Sequence, residues 1–255
     1  RYASRGLGDV YKRQIYGSLF MTLSMFGYAS TDAVIKYIGL ILPLSEIIFL
    51  RGIIAVFLLF LLTYIRKELV VAIKRSQIKF LILRVFGDVG CTVFFLTALI
   101  NMELATATAI LQCLPLALTF AAAIFLKERV GLRRWSAILL GFIGVLIIIK
   151  PASENFNYYS LLALLAVGFI VIRDISTKRL DPSIPSTYVS FITAIAVTLT
   201  GLFFLPFQDW IVPSKEIIWG LSATAFFLII GILFNVMCMR ICLLYTSDAA
   251  DDRSC

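Results

Sequence analysis

Long apolar runs constrain this chain more than any other feature. Eight stretches, near residues 15–38, 43–65, 79–101, 104–126, 135–150, 159–178, 185–207 and 216–241, reach or approach one bilayer crossing. A helix rising about 1.5 Å per residue needs roughly 20 apolar residues to span hydrocarbon. The fifth stretch is short for that purpose. Of 255 residues, 61% are hydrophobic and only 15% charged, an imbalance that a water-soluble domain of this size does not carry. The ten-residue alternating segments of outer-membrane barrels are absent. The sequence therefore predicts an all-α polytopic membrane protein.

The formal charge of +8 invites a nucleic-acid or acidic-lipid partner, but its distribution explains it differently. Arg66, Lys67, Lys74, Arg75 and Lys79 follow the second stretch, Lys127, Arg129, Arg133 and Arg134 the fourth, and Lys178 and Arg179 the sixth. The odd-numbered connections hold only Lys36, Lys150 and Lys215. Positive charge in short loops marks the cytoplasmic side, so the first helix is expected to start in the cytoplasm, and no nucleic-acid partner is needed. The chain has no histidine, which removes imidazole metal sites, haem ligation and histidine catalysis. No metal and no cofactor are expected. Cys91, Cys113 and Cys238 lie inside apolar runs and read as small buried hydrophobes.

An internal repeat gives the architecture. Displacing the chain by 142 residues superposes Tyr16 on Tyr158, Ser18 on Ser160, Leu19 on Leu161 and Leu23 on Leu165. In the same register Asp32 meets Asp174, Lys36 meets Lys178, Pro43 meets Pro185 and Phe49 meets Phe191. Apolar matches are common in membrane sequences, so the Asp, Lys and Pro matches carry the weight. Five helices separate the matched segments. That odd number turns the second copy upside down, as in secondary transporters whose site lies between inverted halves. The arithmetic predicts ten helices, of which eight are present.

Both ends break the pattern. Residues 4–14 and 242–251 resemble translated sequencing-adapter segments, so 1–14 and 242–255 are expected to be foreign to the natural protein. Between them, the run from Ala105 to Pro115, the Phe125–Arg129 segment and the run from Arg134 to Val145 resemble the fourth and fifth helices of an EamA-type repeat. That repeat belongs to the drug/metabolite transporter superfamily. Phe49-Leu-Arg51 is similar to the same family's Phe-x-Arg. The resemblance implies a first EamA-like repeat over 15–150 and a truncated second over 151–241. It also implies a multi-pass protein of the bacterial inner membrane, cytoplasmic termini, and a central cavity reached alternately from each side. Asp88 departs from the small or neutral residue expected there.

Charges inside helices are expensive and usually face a polar cavity or a partner. Arg84 and Asp88, four apart on one helix face, are expected to pair, either as a structural ion pair or as the lining of a substrate cavity. Gln112 beside the kink expected at Pro115 is a second cavity candidate, with packing glue as its plain reading. Asp32 with Lys36, and Asp174 with Lys178, are gate candidates at opposite ends of the repeat, and Arg51, a gate candidate too, is the expected partner of Asp32; helix-end anchoring is the plain reading of the two pairs, and a structural role that of Arg51. Glu128 and Trp135 read as the interfacial end of a hairpin.

The expected function is secondary transport of small polar metabolites, amino-acid or metabolite export being what the resemblance implies. Its partners are a small-molecule substrate and the lipid bilayer. A non-transporting receptor or assembly subunit is the alternative. A membrane enzyme lacks any catalytic constellation in this sequence.

Overall fold

The computed structural model describes residues 2–71, 73–125, 131–149 and 157–251. Nine α-helices and no strand occur among them: α1 Tyr2–Ile38, α2 Leu44–Ile65, α3 Arg75–Asn101, α4 Leu104–Leu111, α5 Leu114–Phe125, α6 Leu132–Ile149, α7 Tyr159–Lys178, α8 Ser186–Phe204 and α9 Lys215–Asp251. Each of the eight expected stretches is helical, the fourth being divided into α4 and α5. Six segments are long and apolar enough to cross a membrane, Leu104–Phe125 counting as one. The protein is thus a helical, multi-pass membrane protein.

The two segments below that threshold fall short for different reasons. In α6 the described apolar stretch, Trp135–Ile147, is shorter than a full crossing. The described part of α1 instead carries Ser18, Thr22, Ser24, Gly27, Ser30 and Thr31, of which Ser24, Gly27 and Thr31 are buried and serve packing. Ser24 Oγ donates to Gly231 O at 2.8 Å and Thr31 Oγ1 to Thr224 O at 3.3 Å, which lets α1 and α9 hydrogen-bond across their interface. The expected foreign ends, 1–14 and 242–255, lie outside the described side chains, as does Cys238.

Local chemistry sets several boundaries. Pro43 and Pro185, matched in the repeat, occupy equivalent positions as the extended N-caps of α2 and α8. Proline suits a helix start because its missing N–H leaves no donor orphaned there. After α2, Lys67 takes a positive φ of 56°, and Glu68 N donates back to Thr63 O at 3.0 Å, the left-handed stop that closes a helix C-terminus. α3 starts four residues before the expected 79, since its first turns, with Arg75 and Lys79, are exposed. Between α4 and α5 the kink forms as expected. Pro115 has no N–H for the Leu111 carbonyl, and the helix ends at Leu111 and restarts at Leu114.

Three antiparallel pairs dominate the packing: α1 with α9, α2 with α8, and α3 with α7. Exchanging α1 with α7, α2 with α8 and α3 with α9 carries the first pair onto the third and the second onto itself. The lesser contacts α2–α9 and α3–α8 exchange in the same way. Glycines sit at all three close approaches. A Cβ on Gly27 would lie 2.7 Å from Phe227 O, on Gly87 2.8 Å from Phe169 O and Arg173 N, and on Gly201 2.7 Å from Phe49 N. Backbone meets backbone at each point, as small residues permit in membranes.

Most of the apolar core lies at one end. Ile35, Ile38, Ile47, Leu99, Ile110 and Leu221 are all but fully buried, at the helix ends beside the 39–43 and 102–103 turns. At the other end, called the basic face for its Arg66, Lys67, Lys74 and Arg179, the apolar cluster is small and centred on Leu81, Ile184 and Val189. Polar contacts join the loops there. Thr187 Oγ1 donates to Glu68, Asp181 N donates to Gln77 Oε1 at 3.2 Å, and Lys74 lies 3.7 Å from Asp181. The Ser183 backbone N–H, with Lys74 adding to it, holds the Asp181 carboxyl below its ordinary range.

Candidate functional site

Six ionisable side chains from four helices lie inside the spans. Asp32 on α1 stands six residues before that helix ends, about 9 Å of rise, and Arg51 on α2 seven residues after its start, about 10 Å. Asp88 stands midway along α3. Arg84, one turn nearer the basic face, and the adjacent Arg173 and Asp174 on α7 complete the group. Arg51 has Asp32 and Asp88 as its charged electrostatic neighbours; Arg84 and Arg173 both have Asp88 and Asp174. The charges therefore form one track, three cations and three anions, from near one face through the middle towards the other.

The pairings within that track differ from those expected. Arg84 and Asp88 share a helix face, but no contact within 4.0 Å joins them. Asp88 instead binds Arg173 Nη1 at 3.2 Å. Arg173 Nε also reaches Asp174 at 2.9 Å, so one guanidinium bridges carboxylates on α3 and α7. Arg84 is buried and donates from Nη1 to Thr177 Oγ1 at 2.5 Å, while its Nε has no partner. The physical reason is lateral. Gly87 brings α3 against the α7 backbone at Arg173, and a cation delivered across that seam outcompetes the one four residues away.

Neither Asp-x-x-x-Lys pair is closed. Lys36 Nζ donates to Ile100 O at 2.8 Å and Met102 O at 2.7 Å, at the C-terminus of α3. Those free carbonyls carry the negative end of the helix dipole and draw the ammonium away from Asp32. Lys178 is exposed, and Asp174 is buried against Arg173 instead. Arg51, the expected partner of Asp32, makes no ion-pair contact with it within 4.0 Å. Gln112 caps α4 and is exposed, as is Pro115. Trp135 packs edge-on against Phe120 at 6.0 Å; Glu128 lies outside the described residues.

Two functional candidates escaped the sequence reading. Arg173 sits in an apolar run, and the rule that flagged Arg84 would have flagged it too. It was hidden because its repeat position, Thr31, is uncharged, so register matching drew attention to Asp174 beside it. The other is Glu46, fully buried in the first turn of α2. Its Oε2 accepts from Ile211 N at 3.2 Å and its Oε1 has no partner. Nearby, Gln208 Oε1 accepts from both Ser45 N and Ser45 Oγ. A shallow pocket of about 300 Å³ lies at this end, lined by Gly39, Pro43, Asn101 and Gln208 among others. None of the track's charges lines it.

Among the described residues no cluster of metal-ligating side chains occurs. Cys91 and Cys113 are buried free thiols. Every member of the track is an Arg or Asp carried on a packed helix.

Comparison with known proteins places these features. The profile of the EamA-like transporter family matches residues 15–150. A riboflavin transporter from Vibrio cholerae is 28% identical over 80% of this chain and 69% of its own length. A pseudopaline exporter from Pseudomonas aeruginosa is 27% identical, over 80% and 71%. An S-adenosylmethionine uptake transporter from Rickettsia conorii is 28% identical, over 82% and 70%.

Proposed function

This chain belongs to the EamA-like transporter family, and from that premise we propose that it carries a small polar metabolite across the bacterial inner membrane by alternating access. The observation that carries the reading is the balanced charge track from Asp32 to Asp174, set among predominantly apolar helices. Ionisable groups at such depth are expensive, and their usual return is a substrate or ion pathway. The exchange symmetry of the helix pairs supports two inverted repeats, 15–150 and 151–241, meeting along α2 and α8. The lysines and arginines of the basic face support a cytoplasmic start for the first helix. Gln112 beside the Pro115 break, and the Asp32, Arg51 and Asp174 positions, are the candidate substrate and gate contacts.

The test is counterflow in proteoliposomes holding the full chain. Labelled metabolites from a charged and polar panel should accumulate against preloaded unlabelled solute, and Asp88→Asn should reduce the rate at least tenfold. Accumulation indistinguishable from empty liposomes for the whole panel would favour a receptor or assembly subunit instead.

A further inference from the structure

The antiparallel seam of α3 and α7 brings the start of one helix to the end of the other at the basic face. Two cations meet there over one ring. Lys79 Nζ lies 5.0 Å from the centre of the Phe80 ring, and the Arg179 guanidinium carbon lies 5.8 Å from the same centre. Arg179 is held in that place, because its Nη2 donates to Phe125 O at 3.1 Å, a carbonyl in the last turn of α5 that its own helix leaves without a donor.

Both side chains are exposed, and neither has an acidic partner within 4.0 Å among the described residues. Lys74 differs, since Asp181 stands 3.7 Å from it. Two like charges gathered on one ring repel each other, and the electron-rich face of the ring offsets only part of that. An anion completes such an arrangement.

Below the charges the surface turns apolar. Ile82, Leu83 and Phe86 follow Lys79 at three, four and seven residues, which puts them on the Lys79 side of α3, and all three are exposed. Helical rise sets them about 4.5 to 10 Å deeper than Lys79. Charge outermost, with apolar surface one to two turns beneath it, is the order of groups in a phospholipid. The polar layer of a bilayer, roughly 5–8 Å on each side, has the matching thickness.

We propose that Lys79, Arg179 and the exposed face of α3 form a binding site for an anionic phospholipid of the leaflet at the basic face. The phosphate lies between the Lys79 ammonium and the guanidinium donors that Phe125 leaves free, and an acyl chain runs along Ile82 and Phe86. Arginine presents parallel N–H groups to phosphate oxygens, and lysine adds a point charge. The lipid must carry net negative charge. A zwitterionic headgroup brings its own ammonium to the phosphate and gains little from two further cations, whereas phosphatidylglycerol has an uncompensated phosphodiester. A free phosphate fits the cations but leaves the α3 face uncovered. The site depends on the helices crossing a bilayer and not on what the protein carries, so it stands or falls apart from the transport reading.

Native mass spectrometry of the full chain released from detergent micelles tests this. The probes are short-chain phosphatidylglycerol, phosphatidylcholine of the same chain length, and glycerol 3-phosphate. Phosphatidylglycerol should bind roughly tenfold or more tighter than either of the others. A cation near the membrane surface contributes about fivefold. Lys79→Gln and Arg179→Gln should therefore each weaken phosphatidylglycerol about fivefold and the double variant about 25-fold, while Lys79→Arg retains it. Arg66→Gln, at an exposed basic position that makes no such ring contact, should leave binding unchanged. Thermal unfolding without lipid separates loss of the site from loss of the fold. Lys79 makes no hydrogen bond or ion pair with any described residue, so its variants carry the test even where Arg179→Gln loosens α5. Equal binding of the two lipids, or a loss in Arg66→Gln as large as in Lys79→Gln, overturns the site. Glycerol 3-phosphate binding as tightly as the lipid overturns the lipid assignment.

Discussion

Replacing Arg173 with glutamine removes the only cation among the described residues in contact with Asp88 and Asp174. The two bonds, 3.2 Å and 2.9 Å, sit among side chains retaining 18% exposure at Arg173, 20% at Asp88 and 9% at Asp174. These values are low enough for water to screen the charges only partly. Breaking a buried pair by deleting one partner costs about 3–5 kcal/mol, because the remaining charge stays buried. Asp174, the drier carboxylate, should supply the larger share, and the residual exposure of Asp88 keeps the total towards the lower end. Equilibrium unfolding in mixed micelles should therefore show Arg173→Gln losing about 3 kcal/mol, more than a hundredfold in the folding equilibrium. Adding Asp88→Asn and Asp174→Asn removes the stranded charges and should return all but about 1 kcal/mol. A single-variant loss below about 1 kcal/mol, the value of an exposed pair, would refute the buried bridge. So would a triple variant as unstable as the single one.

Two further outcomes follow from the same geometry. Gly87→Ala places a Cβ 2.8 Å from Phe169 O and Arg173 N; backbone must move, and thermal unfolding should show a loss of about 1–3 kcal/mol, whereas Gly168→Ala, with nothing within 4 Å, should be neutral. Asp181, depressed by the Ser183 N–H and then by Lys74, contributes stability that is present above its unfolded pKa near about 4 and lost as pH falls through its lower folded value; the gap in unfolding midpoint between the parent chain and Asp181→Asn should close on acidification through that window, and a gap that widens would contradict the depression.

Features fixed by local chemistry were legible in the sequence. Apolar length located every helix, Pro115 announced the break between α4 and α5, and the matched Pro43 and Pro185 became matched helix caps. The charge partners were not legible, for a physical reason. The i,i+4 rule places Arg84 and Asp88 on one face but is worth only about 0.2–0.5 kcal/mol, so any cation presented from another helix overrides it. Arg173 is that cation, and its approach depends on Gly87, a residue without chemistry to notice. Lys36 is a similar case. Its partners are backbone carbonyls of α3, which carry no signature in a list of side chains.

The two repeat-matched aspartates now differ in state, and the difference has a direction. Asp174, towards the basic face, is closed on Arg173; Asp32, towards the other face, stands apart from Arg51. The surroundings run the opposite way. Near Asp32 the helix ends are sealed by fully buried Ile35, Ile38, Ile47 and Leu99, and opening there would expose apolar surface to water. At the basic face the elements are joined by Thr187–Glu68, Asp181–Gln77 and Lys74–Asp181 contacts, each of which water replaces at little net cost. Under the proposed alternating access, the packing predicts that the basic face opens first from this conformation, with Arg173 as the contact that must let go. A cysteine at Thr177, beside Arg84 and on the α7 face against α3, reports that motion. Arg173→Gln should raise its labelling by a membrane-impermeant thiol reagent from the basic side, and a cysteine at Thr97 on the far half of α3 should stay unchanged. Increased labelling at position 97 with none at 177 would place the first opening at the apolar end, contrary to the packing.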